Sequence, residues 1–120
     1  MSADNARVFA ANHAAAEFVV FLDRQRAEFR RGLPHRLEAM EAVWNSHTAG
    51  DLEADWLPEL ERYAHNLAGT ASTFGLLDVG EAARTLELRL RRLIDAEPLC
   101  SFAEVGAGLA QLRRTIGTCH

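Results

Sequence analysis

Helical spacing of apolar residues is the feature that most restricts what this chain can fold into. Between positions 57 and 74, apolar side chains recur at alternating steps of three and four residues. They are Leu57, Leu60, Ala64, Leu67, Ala71 and Phe74. This spacing places them on one face of an α-helix that packs against other helices. The stretches 79–93 and 102–116 repeat the pattern, and no stretch has the sustained alternation typical of a β-strand.

Capping residues predict where these helices begin and end. Asp51 or Asp55 can cap the start of the first helix, and Gly75 suits its end because glycine readily adopts the left-handed conformation. The segments 78–81 and 101–104 each begin with a capping residue, Asp or Ser, and carry glutamate three residues later. This pattern is typical of a capping box, so we expect a new helix to start at each segment.

Upstream, the segment Gly32-Leu33-Pro34 leaves two alternatives open. Either a second helix starts there and runs from about Pro34 to His47, or one long helix kinks at Pro34. The connections between the predicted helices are short, so consecutive helices should be antiparallel neighbours. The sequence therefore predicts an all-α fold: an up-and-down antiparallel four-helix bundle with an additional N-terminal helix or arm.

Length and composition exclude several classes of protein. The 120 residues suit one domain with a single core, and a net charge of −4 argues against nucleic acid as the main partner. No apolar run approaches the roughly 18 residues that span a bilayer, and no secretory leader is recognisable, so we expect a cytoplasmic protein without a membrane partner. All thirteen basic residues are arginine, which excludes a lysine nucleophile. The spacing of Cys100 and Cys119 matches no zinc pattern.

His65 lies one residue away from the apolar face of its helix, so its ring should point toward solvent or the edge of that face. Gly69 follows four residues later on the same side. A glycine inside a helix costs roughly 1 kcal/mol relative to alanine. On an outer face beside a histidine, the better explanation is that another molecule must come close. Ala68, Ser72 and Thr73 extend this small-residue patch, which leaves room for a second protein.

Two other chemistries do not fit the residues. A di-metal bundle would need inward glutamates and Glu-x-x-His pairs, and no Glu-x-x-His occurs; Glu61, four residues before His65, suits a helical ion pair better. Ser72 and Thr73 share the helix with His65 but not the spacing that a nucleophile and its base require. We therefore predict no metal site and no cofactor. An exposed imidazole can itself act as a nucleophile and carry a phosphoryl group.

The segment Ala64-His65-Asn66-Leu67-Ala68-Gly69-Thr70, with Gly75 ten residues after the histidine, resembles the histidine-containing phosphotransfer (HPt) domain. The motif of that family is Ala-His-x-Leu-Lys-Gly-small, followed by a glycine near the helix end. The segments 33–38 and 82–87 are similar to the flanking helices of the family. The resemblance covers roughly residues 18 to 116. It implies a single HPt-like four-helix bundle over residues 16–120, preceded by an N-terminal arm or short helix over residues 1–15.

The resemblance also implies a role for each matching residue. His65 would accept the phosphoryl group, and Gly69 would provide clearance for a docking partner. The family often has lysine where this chain has Ala68, and that lysine helps to neutralise the phosphoryl group. Here Arg62 or Arg84 would take that part, or the partner would supply the charge. We include Ser72 and Thr73 with these residues as the candidate binding surface.

The resemblance implies a cytoplasmic phosphorelay carrier of two-component signalling. Such a carrier moves a phosphoryl group to or from the aspartate of a response-regulator receiver domain, and its other partner is a histidine kinase, which can be of the hybrid type. It has no catalytic machinery of its own, since the receiver supplies the magnesium and the aspartate. The alternative is a helical adaptor that binds a receiver or kinase without being phosphorylated. A third interpretation is a fragment of a kinase.

Overall fold

The computed structural model describes the fold of residues 3–48, 56–97 and 101–118. Within these ranges the chain forms four α-helices and no β-strand, which confirms the all-α class. The helices are α1 (Ala3–Thr48), α2 (Trp56–Thr73), α3 (Leu77–Ile94) and α4 (Phe102–Gly117).

The two alternatives at Gly32-Leu33-Pro34 are resolved in favour of one helix, because α1 continues through Pro34. The chain divides into two compact units, Met1–Arg31 and Gly32–His120, and α1 contributes residues to both. The predicted boundary between residues 15 and 16 stays a prediction. The alternative caps predicted at Asp51 and Asp55 lie outside the described residues.

The unit 32–120 is a helical bundle with an apolar core. No polar or charged side chain is buried among the described residues. On α2 the predicted face is largely confirmed: Leu60, Ala64, Leu67 and Ala71 are at most 1% exposed. The face begins with buried Trp56 rather than with Leu57, which is half-buried. The other helices supply matching rows, namely Leu33, Leu37 and Met40 from α1; Val79, Ala83, Leu86 and Leu90 from α3; and Val105, Leu109, Leu112 and Ile116 from α4.

A tight turn joins α2 to α3 and makes them antiparallel. Gly75 has φ 73°, the left-handed conformation that favours glycine. The N–H of Gly75 donates to the Ser72 carbonyl at 3.1 Å, and the N–H of Leu76 donates to the Ala71 carbonyl at 2.8 Å. These two bonds form a Schellman motif, which satisfies the last carbonyls of α2. The predicted helix end at Gly75 is therefore confirmed.

The prediction that Asp78 caps α3 is wrong. The helix begins at Leu77, Leu76 occupies the cap position, and no side chain bonds to the cap. The Leu76 carbonyl already accepts the first helical bond, from the Gly80 N–H at 3.0 Å, because the tight turn starts the helix early. Asp78 lies in the first turn, where its negative charge still suits the helix dipole. The predicted cap position Ser101 is confirmed, but its side chain makes no cap bond.

Helix α4 packs against α3 and the end of α1. Arg89 on α3 donates to the Glu104 carbonyl on α4 at 2.9 Å. Arg113 on α4 donates from Nε to Glu41 Oε2 on α1 at 3.0 Å. This side-chain hydrogen bond, with the charge of Glu41, raises the pKa of Arg113 above its ordinary value. Trp44 lies near Gly106, where an added Cβ would stand 3.3 Å from its ring.

The direction of these contacts confirms the up-and-down arrangement around α3 and α4. On α3, Leu86 lies near Gly108 of α4, whereas the later residue Arg89 contacts the earlier residue Glu104. On α1, Glu41 contacts Arg113 of α4, whereas the later residue Trp44 lies near the earlier residue Gly106. Consecutive helices in the bundle are thus antiparallel, as the short connections predict.

Candidate functional site

His65 is presented on the outer side of α2. Its side chain is 68% exposed, while its neighbours Ala64 and Leu67 are buried. This is the position expected for a residue just outside the apolar face. The packing of that face holds the helix in place, so the ring is offered to solvent from a rigid support.

Glu87 on α3 is the partner of His65. The Nδ1 atom of His65 lies 3.1 Å from Glu87 Oε1, and the Glu87 side chain is only 17% exposed. An ionised carboxylate can only accept hydrogen bonds, so this contact is a hydrogen bond when Nδ1 carries the hydrogen. In a neutral imidazole the lone pair then belongs to Nε2, the other ring nitrogen. In that tautomer Nε2 is the ring nitrogen whose lone pair is left for another molecule.

The interpretation of the sequence assigned no role to Glu87. A signal was available, because Gly75 predicts a tight turn between two antiparallel helices. Residues equally distant from that turn along α2 and α3 meet each other, and His65 and Glu87 satisfy this condition. The spacing suggests the pairing, but which side chain reaches the ring depends on helix rotation and packing, which spacing alone does not determine.

A second pair lies one turn further from the connection. Arg91 on α3 donates to Glu61 Oε1 on α2 at 3.1 Å, and the Glu61 side chain is 17% exposed. The spacing of Glu61 and His65 suits an ion pair along the helix better than a metal site, but the described partner of Glu61 is Arg91 on α3. The arginine offsets the charge of one of the two carboxylates beside the histidine.

Glu61, His65 and Glu87 together place three potential metal-binding atoms within 4.8 Å of one another. Imidazole nitrogen and carboxylate oxygen are ligands that divalent transition metals accept. Each of the three side chains already has a partner in the protein. The prediction that the chain has no metal site stays a prediction.

A groove of about 390 Å³ runs beside His65 between α2 and α3. It brings together five of the predicted site residues, which are His65, Ala68, Gly69, Ser72 and Arg84. From α3 it is also lined by Leu77, Gly80, Glu81 and Glu87, none of which the sequence singled out as binding residues. Thr73 lies beside a second depression next to His65, together with Gly69 and Phe74.

Arg62 is the predicted residue that lines neither the groove nor the depression. Its guanidinium lies 5.9 Å from the centre of the Tyr63 ring, a cation–π contact on the exposed surface. Of the two arginines considered as partners of a phosphoryl group, Arg84 is therefore the one that shares a groove with His65.

Gly69 and Gly80 serve different purposes on the two sides of the groove. A Cβ added at Gly69 would meet nothing within 4 Å, so contacts among the described residues do not explain this glycine. A Cβ added at Gly80 would lie 3.0 Å from Ser72 Oγ and 3.6 Å from the Ala68 carbonyl. Gly80 thus permits close packing of α3 on α2, whereas the space over Gly69 is open to an outside molecule.

A family model described as the Hpt domain matches residues 25–115, a range that includes the whole groove. The chain belongs to the Hpt domain family. No curated protein and no solved structure matches it. Hpt domains serve histidine phosphotransfer in two-component signalling, where they interact with kinase and receiver partners. They are phosphocarrier modules and in general not catalytic enzymes.

The resemblance found in the sequence is confirmed by this match, whose range lies close to the predicted one. Among the described helices of this Hpt domain, none is both long enough and apolar enough to cross a membrane.

Proposed function

We propose that this Hpt domain is a phosphorelay carrier that accepts a phosphoryl group on Nε2 of His65. It exchanges the group with the aspartate of a response-regulator receiver domain, and a histidine kinase is its other partner. The observation that carries the proposal is the 3.1 Å contact between His65 Nδ1 and Glu87 on an otherwise exposed ring. The domain acts as a carrier and relies on its partners for catalysis.

The chemistry is a displacement at phosphorus. The Nε2 lone pair attacks the phosphorus of the aspartyl phosphate and forms an N–P bond. The bond between phosphorus and the aspartyl oxygen breaks, and the carboxylate leaves with the electron pair. Positive charge develops on the ring as the N–P bond forms, because Nδ1 retains its hydrogen. The Glu87 carboxylate stabilises that charge through the Nδ1–H hydrogen bond. The reverse reaction returns the phosphoryl group to a receiver.

A chain with Ala68 in the place of the usual lysine needs another positive charge near the phosphoryl group. Arg84 lines the groove together with His65, and its guanidinium can make charge-assisted hydrogen bonds to phosphoryl oxygens. Arg91 is engaged with Glu61 at 3.1 Å, and Arg62 lies over Tyr63. Arg84 is therefore our choice for the cation that helps to retain the phosphoryl group.

The docking surface is the small-residue side of α2. Space is open above Gly69, and Ser72 and Thr73 lie beyond it on the exposed surface. The hydroxyl of Thr73 donates to the Gly69 carbonyl at 2.9 Å, so it lies against its own helix. A flat receiver surface can therefore approach His65 along this side without meeting a large side chain of α2.

Transfer of labelled phosphate tests the proposal. The purified chain is mixed with ³²P-labelled receivers and active kinases from the same cell, and the label is tested for the acid lability and base stability of phosphohistidine. Wild type should be labelled and His65→Gln should not. His35→Gln is the matched control, since His35 is also exposed and also lies near a glutamate, Glu38, at 3.7 Å.

The outcomes separate the carrier from the adaptor. If no donor labels wild type although a receiver binds it, the chain is an adaptor and the carrier proposal fails. If His65→Gln is labelled as strongly as wild type, another residue accepts the phosphoryl group. Loss of label in His35→Gln as well would show that the substitutions act through the fold.

A further inference from the structure

The N-terminal part of α1 carries a row of exposed apolar side chains. Between residues 8 and 22, seven large apolar residues are 37% to 71% exposed, and they are Val8, Phe9, Phe18, Val19, Val20, Phe21 and Leu22. Large apolar patches are rare on a monomer surface unless they bind something. This segment belongs to the unit 1–31, and none of its residues lines the groove or the depression beside His65.

The row has the spacing of a helix–helix seam. Val8, Ala11, Ala15, Phe18 and Leu22 follow one another at alternating steps of three and four residues, and all five are exposed. This heptad spacing keeps them on one side of the helix, where a second helix can interdigitate with them. Val19 and Phe21 border the same side and widen it. Phe9 and Val20 point to the opposite side.

The charges of the segment argue for a protein helix and against a lipid surface. Helices that lie on anionic membranes carry lysine and arginine on their polar face. Here Arg7 is the one basic residue within the seam region 4–23, beside Asp4, Glu17 and Asp23. The other four arginines of the unit follow the seam and do not accompany it, and they are Arg24, Arg26, Arg30 and Arg31. An alanine-rich helix with heptad-spaced apolar residues and a single basic residue beside them matches a second helix of the same kind better than an anionic bilayer.

The area of the seam is sufficient for a weak, specific dimer. From its exposed phenylalanines and aliphatic residues, each helix can bury on the order of 500 Å², and two copies about 1,000 Å², which is near the lower limit for a specific interface. We propose that the chain forms a homodimer through the seam Val8–Leu22, with the same seam of a second copy as its partner. The expected dissociation constant is in the micromolar range.

Sedimentation velocity and light scattering of the full chain test the proposal from about 5 to 500 µM, a range chosen around that affinity. The monomer mass is 13.3 kDa, and wild type should approach twice this value as concentration rises. Phe18→Glu with Leu22→Glu places two charges in the seam and should raise the dissociation constant by about 100-fold or more. The matched control, Phe9→Glu with Val20→Glu, adds the same charge on the opposite side and should dimerise like wild type.

Circular dichroism at 222 nm checks that both variants remain helical, as expected for substitutions at exposed positions. A wild type that stays at 13.3 kDa up to 500 µM would overturn the proposal, whether or not it binds phosphatidylglycerol vesicles in a flotation assay. A seam variant that dimerises like wild type would also overturn it, because the contact would then lie elsewhere. His65→Gln should dimerise normally, so this result is independent of phosphotransfer.

Discussion

Replacement of Glu87 tests the physical reasoning about the site most directly. Glu87→Gln preserves the size of the side chain and removes its charge, whereas Glu87→Met also removes the hydrogen-bond acceptor. Hydrogen bonds to charged groups contribute about 1.5–3 kcal/mol, and water around the exposed ring reduces this value. We therefore expect the barrier to transfer to rise by about 1 kcal/mol in Glu87→Gln, roughly a fivefold slower rate. For Glu87→Met we expect about 2 kcal/mol, roughly thirtyfold.

Two measurements distinguish this effect from a general loss of structure. Rapid-quench transfer from a phosphorylated receiver gives the rate, and ¹⁵N NMR of the imidazole reports which nitrogen carries the hydrogen. In wild type the hydrogen should be on Nδ1, and in Glu87→Met the ring should shift toward the other tautomer. Glu97→Gln is the control, since Glu97 is exposed and pairs with Arg92 at 3.8 Å.

The reasoning is refuted if Glu87→Met transfers at the wild-type rate with an unchanged tautomer. That result would mean that Glu87 neither selects the nucleophilic nitrogen nor stabilises the developing charge. A slower rate with an unchanged tautomer would retain only the electrostatic part of the argument.

Three further substitutions probe the groove. Gly69→Leu should slow transfer at least tenfold, because the new side chain obstructs the partner. Its free energy of unfolding, measured by thermal unfolding, should equal that of wild type or exceed it by up to about 1 kcal/mol, because the position is open and glycine disfavours a helix. Gly80→Leu should instead destabilise the fold, because an added Cβ would lie 3.0 Å from Ser72 Oγ. Urea denaturation should show a loss of about 1–3 kcal/mol in the free energy of unfolding. Arg84→Gln should leave receiver binding by calorimetry nearly unchanged and shorten the lifetime of the phosphorylated form by about two- to fivefold, equivalent to less than 1 kcal/mol; unchanged lifetime would contradict its assignment.

The α2–α3 hairpin illustrates how far local pattern reaches. Gly75 predicted the helix end because only a residue tolerant of positive φ fits there, and the Schellman motif confirms it. The same turn invalidated the predicted cap at Asp78, because the bonds of the turn start α3 at Leu77. Capping motifs describe a helix start in isolation, whereas a short connection imposes its own geometry on the next helix.

Helix α1 illustrates a choice that local pattern left open. Proline removes one backbone donor and disfavours the interior of a helix. The pattern around Gly32-Leu33-Pro34 was therefore compatible with two helices or with one. In the folded chain Leu33, Leu37 and Met40 are buried in the bundle, and α1 continues through Pro34. Tertiary burial outweighs the local preference in this segment.

By itself the sequence determined the helical class, the apolar faces and the family. The spacing of apolar residues and the motif around His65 are local properties that can be read directly from the sequence. It also singled out His65 and Gly69 as candidate site residues, since a histidine just outside an apolar face and a costly glycine are visible in the spacing. Only the tertiary structure brought Glu87 to the ring, placed Arg84 rather than Arg62 in the groove, and separated the open Gly69 from the packed Gly80. Those relations depend on how two helices rotate and pack against each other. Residues distant in sequence determine that packing through a shared core, so no local pattern contains it.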